Sequence, residues 1–339
     1  MPSPLYLAVS LDVEEECLFG GRYARRAHAM KNTACLARLE PLLARGIRPT
    51  LFCAYSALAD EASRDSLNRL KERVEIGGHL HHWNTPPLSL NGTGADLPDF
   101  ARSVPSAAVP SRLMEAKLTS LFNVSSDFCG APVTSFRMGR WDLRREHWPM
   151  LARAGVLCDA SVRPLHCAAK NADGPDHFYA PSDPYWVQAE GRRIFEVPLT
   201  VTPLVRCVPH LFSTLSDRAG RVARAGLKNW GALALLPVQH PFRLMQFVTR
   251  LFASRGGRVL SLTWHSSEMM PGGAPHMPDL GAVTRLMDKI SRYIDWLYRH
   301  WSVRSCTMSE LRDELGASAP APRAAQAGDW TTRHAGQAV

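Results

Sequence analysis

What this chain lacks narrows it first. Its eight cysteines, Cys17, Cys35, Cys53, Cys129, Cys158, Cys167, Cys207 and Cys306, include no CxxC pair, which excludes a zinc ribbon and a thioredoxin-like redox pair. Several sit in apolar runs such as Leu51-Phe52-Cys53-Ala54, where a thiol packs as a small hydrophobe. Reduced cysteines and an intracellular setting are the expectation. No GxGxxG follows the first apolar run; acids stand there instead, which removes Rossmann chemistry. Met1 to Val9 lacks the basic start of a signal peptide, and its apolar run meets Asp12 too early. The longest strongly apolar uncharged stretch, around Trp230 to Phe242, holds two prolines and is too short to cross a bilayer. A long basic tract is missing too. Arg22, Arg25, Arg26 and Lys31, then Arg137, Arg140, Arg144 and Arg145, are dispersed, which argues against a nucleic-acid partner. A soluble, cytoplasmic protein is expected, with no transmembrane segment.

What is present is the composition of a globular chain. The 339 residues are 45% hydrophobic and 21% charged, ample for one large core or two of ordinary size. Forty basic side chains against 31 acidic ones leave +9, which permits an anionic partner without naming it.

Apolar runs alternate with helical periodicity. Leu5 to Val13 reads as a buried strand and Ala27 to Arg45 as a helix ended by Gly46. Pro49 to Ser56 is a strand, Glu61 to Arg73 a helix and Val74 to His81 a strand. After a loop from Trp83 to Pro110, a helix from Ser111 to Phe122, with Ser111 as its cap, leads to a strand from Val133 to Met138. A helix from Arg144 to Ala154 and a strand from Val156 to Val162 follow. The pattern degrades between residues 164 and 230, with short strands near Tyr185 and Ile194 and a basic helix near Leu215 to Lys228. It resumes as a helix (Pro241 to Ser254), a strand (Arg258 to Trp264), an amphipathic helix (Leu280 to Leu297) and a last strand and helix (Val303 to Leu315). About seven such alternations predict an α/β fold, a distorted (β/α)7 barrel over 1–315, with an irregular insertion near 164–230. Residues 316–339, rich in alanine, read as a disordered tail.

In such a barrel, reactive side chains collect where strands end. Strand ends here carry Asp12-Val13-Glu14-Glu15, His79-Leu80-His81-His82-Trp83, Arg137-Met138-Gly139-Arg140-Trp141, Asp159 and Trp264-His265. Alternation puts Asp12 with Glu14, and His79 with His81, on shared faces. Two imidazoles and a carboxylate with one open position form a catalytic metal set, suited to Zn2+ and accepting Co2+, Ni2+ or Fe2+. A second carboxylate beside it can take a proton from water, and a histidine from another strand can protonate a leaving group.

LAVSLDVEEE, VEIGGHLHHW, TSFRMGRWDL and VLSLTWHSSEM, in that order, resemble successive motifs of the polysaccharide deacetylases, the NodB-homology or carbohydrate esterase family 4 enzymes. The resemblance runs from residue 5 to about residue 312. It implies a (β/α)7 barrel, a divalent metal and hydrolysis of an N-acyl, usually N-acetyl, group from an amino sugar. Asp12 matches the general base. The usual metal-binding aspartate falls at Val13, so Glu14 takes its place; the usual HxxxH would end at Trp83, so His79 and His81 are the expected ligands and His82 the substitute. Arg137 matches the arginine that orients the base, and His265 the general acid, with Asp159 or Glu196 as the acid holding Arg137 or His265 in place. Trp83, Arg140, Trp141 and Trp264 are the expected substrate contacts. The substrate expected is an amino-sugar glycan or its sugar-phosphate or lipid-linked precursor, with peripheral membrane contact compatible. The same barrel would also suit an amidase or deformylase of small substrates, and the departures at Val13 and Trp83 suit an inactive carbohydrate-binding homologue.

Overall fold

The computed structural model describes residues 4–21, 23–25, 29–89, 103–166, 174–213, 222–224, 226–227 and 231–319. Leu5–Val13 forms strand β1, and every residue but Tyr6 is buried, as a strand covered on both faces requires. β2 (Thr50–Ala54), β3 (Glu75–Leu80), β4 (Ser135–Met138), β5 (Cys158–Asp159), β6 (Tyr185–Ala189) and β7 (Arg192–Glu196) follow. β8 (Val201–Pro203) and β9 (Ala232–Ala234) make a separate pair, and β10 (Val259–His265) and β11 (Val303–Ser305) complete the set. The main sheet runs β10-β1-β2-β3-β4-β5-β7-β6, with β11 beside the start of β1. All of its pairings are parallel except the β6–β7 hairpin.

Seven of these parallel strands, β10, β1, β2, β3, β4, β5 and β7, curl around one interior: a distorted (β/α)7 barrel. No ladder joins β7 to β10 among the described residues. Side chains bridge that seam instead. Thr200 Oγ1 accepts from Ser261 N at 2.8 Å and donates to Val259 O at 3.3 Å, and Asp183 Oδ1 accepts from Arg258 N at 2.9 Å.

Most expected elements stand within a few residues of their predicted bounds, and the differences have physical causes. The first helix begins at Lys31 as a 3-10 turn and becomes α only over Glu40–Leu43, where Pro41 suits a first turn; Gly46, at φ +77°, ends the segment. The helix of Ser111–Cys129 has Pro110, not Ser111, at its cap, with no side-chain cap bond, and stops at Gly130 in the left-handed region. The stretch expected to be irregular supplies β7, a strand of the barrel itself. Most of the expected basic helix near Leu215 to Lys228 lies outside the described residues. So does most of the tail, but Gly316 O accepts from Trp186 Nε1 at 2.8 Å and Ala319 is buried, so its first residues pack on the fold.

Two helices orient the barrel. Leu280–His300, capped by Asp279, buries Val283, Leu286, Ile290, Ile294 and Leu297 against β1 and β10 neighbours, each worth about 1.5–3 kcal/mol. Met308–Leu315 sits at the strand starts, where Ser309 N and Oγ donate to Glu75 at 3.0 and 2.7 Å and Thr50 Oγ1 donates to the same carboxylate at 3.1 Å. That helix closes the amino end of the barrel. The opposite, carboxyl end is left for chemistry.

Candidate active site

The strand register assembles the site. Asp12 lies opposite His265 across β1–β10, and His79 opposite Arg137 across β3–β4. Arg137 is 1% exposed and every nitrogen of its guanidinium is engaged. Nη1 donates to Asp12 Oδ1 at 2.6 Å and Thr263 Oγ1 at 2.9 Å, Nη2 to Ser10 Oγ at 2.7 Å, and Nε to Ala160 O at 3.0 Å. The rings of Phe52 and Trp141 flank it at 4.3 and 4.9 Å.

The three consecutive acids after β1 are buried, and each has its own partner. Glu14 Oε2 lies 3.2 Å from His79 Nε2 and 3.0 Å from His81 Nε2. Glu15 accepts from His81 Nδ1 at 3.0 Å, from Asn84 Nδ2 at 2.5 Å and from Ser56 Oγ at 3.0 Å. Glu16 Oε1 accepts from Asn32 N at 2.6 Å, and Asn32 Nδ2 donates to Glu14 O at 2.9 Å. A solvated acidic loop would show none of this.

The tautomer of His79 follows from its partner. Nδ1 faces Arg137 O at 3.1 Å, and a carbonyl only accepts, so Nδ1 donates there and Nε2 is the ring nitrogen left facing Glu14 and the site. His82 is placed elsewhere: its Nε2 donates to Val104 O at 2.8 Å, and burial drives its pKa down to about 3. The structure thus brings His81, not His82, together with His79. Trp83 stacks on the His81 ring at 4.2 Å. Gly139 makes room for this, because a Cβ there would lie 2.6 Å from Leu80 O and 2.7 Å from His81 Cδ2.

Burial opposes charge on Glu14, yet His265, His79 and His81 outweigh it and hold the carboxyl well below its ordinary range. Burial also opposes a cation at His81, but Glu15 and Glu14 prevail and push it up to about 10. His265 is likewise pushed up to about 10, burial opposing while Glu14, Glu268 and Asp12 prevail. Its Nε2 stands 3.9 Å from Asp12 Oδ2 and 4.0 Å from Glu14 Oε1, a gap too wide for a hydrogen bond and suited to a reacting atom between them.

One buried acid was not singled out by the sequence reading. Glu268 Oε2 accepts from both the backbone N (2.9 Å) and ring Nδ1 (3.0 Å) of His265, and its Oε1 meets His276 Nε2 at 2.7 Å. The signal was there: a glutamate three residues beyond a strand-end residue is the capping-box spacing. Asp159 and Glu196, expected to hold Arg137 or His265, hydrogen-bond to neither, although both feel the Arg137 charge. Asp159 accepts from Ser161 N and Oγ, Glu196 from Val162 N, and burial raises both carboxyls beside each other, Glu196 well above its ordinary value.

The expected substrate contacts divide. Trp264 and Trp83 are 1% and 2% exposed, so neither ring offers an open face. Arg140 and Trp141 remain at the rim, both at φ +58° and both partly exposed. Arg140 donates to Val104 O at 3.1 Å and lies over the Tyr23 ring. Left-handed backbone at two adjacent bulky residues is strain of the kind held at working sites.

Glu14, His79 and His81 offer three ligand atoms within 4.8 Å of one another, as do Asp12, Glu14 and His265. The first set fits a divalent metal by three tests: mixed nitrogen and oxygen donors, His79 Nε2 facing inward while its Nδ1 is held by Arg137 O, and an outer carboxylate, Glu15, on the second histidine.

No protein-family model matches the chain, and no curated protein matches its sequence. Solved structures do. A Mycobacterium smegmatis protein assigned as a polysaccharide deacetylase superposes with a TM-score of 0.55 at 14% identity, covering 95% of this chain and 94% of that one. A Pseudomonas aeruginosa PAO1 protein so assigned gives 0.54 at 13%, covering 92% and 91%. An allantoinase gives 0.55 at 12%, covering 94% and 93%. The chain has the NodB-like polysaccharide deacetylase fold, with a buried acid–histidine cluster at the carboxyl end of its barrel.

Proposed function

We propose that this protein is a metal-dependent hydrolase that removes an N-acyl group, most simply N-acetyl, from an amino-sugar unit of a glycan or of its phosphorylated or lipid-linked precursor. The observation that carries this reading is the convergence of Asp12, held by Arg137, the Glu14–His79–His81 cluster and His265 on one small space. Glu14, His79 and His81 would hold the metal, Zn2+ by its donor set, which when bound supplies Lewis-acid polarisation of the acyl carbonyl and lowers the pKa of water.

The chain's own groups do the rest. Asp12, paired with the Arg137 guanidinium, takes a proton from the attacking water on Oδ2, since Oδ1 is occupied. His265, protonated and aimed by Glu268, gives its Nε2 proton to the departing amine. Trp141, partly exposed over Arg137, is the ring left to line the sugar side. A cytoplasmic enzyme would meet biosynthetic precursors rather than finished wall polymer.

The allantoinase likeness favours a second reading, hydrolysis of a small non-sugar amide in the same site. A panel of N-acetylated oligosaccharides, sugar phosphates and small cyclic amides, with amine release and ring opening both followed, separates the two. Release of amine from acetylated sugars that depends on added metal and on Asp12 supports the first reading. Turnover of small amides alone, or none with a stoichiometric metal bound, removes it.

A further inference from the structure

The net charge of this chain is not spread over it. Residues 197–267 carry nine arginines and lysines against the single Asp217, a net +8 of the chain's +9. The rest is close to neutral. The same segment holds an unusual share of the exposed large hydrophobic side chains. Leu204, Val205, Val222 and Phe247 are 47%, 51%, 71% and 45% exposed. Leu204 to Cys207 is a continuous exposed run containing Arg206. On the helix of Phe242–Ser254, Arg243, Phe247 and Arg250 share one exposed stripe at i, i+4 and i+7.

Hydrogen bonds tie the ends of these pieces to one another. Arg255, at the end of that helix, donates to Leu204 O at 3.1 Å, Leu204 N donates to Gly231 O at 2.7 Å, and Gly231 N to Leu227 O at 2.8 Å. Leu227 and Phe212 pack in one cluster with Trp141, whose ring covers Arg137. That cluster joins the segment carrying these side chains to the wall of the site.

We propose that this surface, formed by Leu204, Val205, Arg206, Val222, Arg243 and Phe247, seats the protein on a bilayer bearing anionic headgroups. Apolar knobs interleaved with arginines match the two layers of a lipid interface, acyl chains below and phosphates above. A soluble partner with a neutral groove would explain the apolar knobs but not the near-exclusion of acids over 71 residues; a nucleic acid would explain the arginines but not the knobs. On the reading given above, the surface would bring the barrel mouth to a lipid-linked amino sugar. The membrane contact itself does not depend on that reading.

The test is flotation of the full chain with vesicles of equal parts phosphatidylglycerol and phosphatidylcholine, against pure phosphatidylcholine. Co-flotation with the anionic vesicles alone is expected. Leu204→Ser with Val205→Ser and Phe247→Ser should weaken partition about tenfold or more. Arg206→Glu with Arg243→Glu should weaken it about 25-fold or more, at roughly fivefold per arginine removed. Melting curves confirm that both sets fold, and neither set touches the catalytic cluster, so metal binding should be unchanged. No flotation on anionic vesicles overturns the proposal. So does flotation that the arginine changes abolish and the apolar changes leave intact, which would make the surface a polyanion site. A dimer in light scattering that the apolar changes dissociate, without flotation, assigns the face to a second copy and also overturns it.

Discussion

Arg137 Nη1 and Asp12 Oδ1 meet at 2.6 Å, with both side chains shut away from water, and this pairing leaves Oδ2 of the same carboxylate directed to the histidines. One oxygen is fixed and the other is free to work. Removing either partner leaves a buried charge uncompensated, which costs about 3–5 kcal/mol. Arg137→Met should therefore lower stability by about that amount, read by urea denaturation, and abolish turnover. Asp12→Asn should cost about 10²–10⁴-fold in kcat while keeping the bound metal. Unchanged amine release in Asp12→Asn would remove Asp12 as the base.

The two histidines on one face of β3 and its extension should be separable from the third. His79→Ala and His81→Ala should each fail to retain a stoichiometric metal by elemental analysis, whereas His82→Ala, whose ring serves Val104 O, should retain it. Glu15→Gln should lower metal affinity by about 10–100-fold, as loss of an outer carboxylate does. Metal retained by His81→Ala and lost by His82→Ala would reverse the assignment.

Gly139 is the neighbour on which His81 depends. Gly139→Ala puts a methyl 2.6 Å from the Leu80 carbonyl, which cannot move out of its strand, and 2.7 Å from the His81 ring, which can. A stability loss of about 1–3 kcal/mol is expected, together with weaker metal binding. Full metal affinity in this variant would show that His81 does not need its present position.

Glu268 fixes His265 through both backbone and ring. Glu268→Gln should lower kcat with KM nearly unchanged, by up to about 10⁴-fold, the cost of a wrong imidazole tautomer in a comparable dyad. A change in KM alone would make Glu268 a substrate contact rather than a positioning residue.

The histidine shifts set a pH dependence for the metal-free protein. His81 and His265 are raised to about 10 in the fold, above the unfolded value of about 6.5. Their contribution is complete below about pH 6.5 and is lost as pH rises through about 10. Glu14, held low, contributes above its unfolded value of about 4.3 and loses that contribution as pH falls through its lowered value. Urea midpoints of chelator-treated protein should therefore fall steadily from about pH 6.5 to about pH 10. A divalent metal held by His81 would displace its proton, so metal affinity should rise over the same range, with proton release in calorimetry. A flat urea profile would contradict these charge states.

The sequence by itself determined the strands and the chemistry they carry. LYLAVSLDV could only be a strand covered on both faces, and period-two alternation placed Asp12 with Glu14 and His79 with His81 before any coordinates. It also determined the uneven charge of residues 197–267. Tertiary structure decided what linear order cannot express. Whether a tryptophan is a platform or core depends on what packs over it, and Trp83 and Trp264 proved buried while Trp141 kept an open edge. The acid that holds His265 came from the turn after β10, not from β5 or β7, because a hydrogen bond is chosen by distance and Glu268 is already bound to the same backbone. The short strand near Ile194 was expected inside an irregular insertion, and only its pairing with β5, a partner more than thirty residues back along the chain, makes it the barrel strand β7.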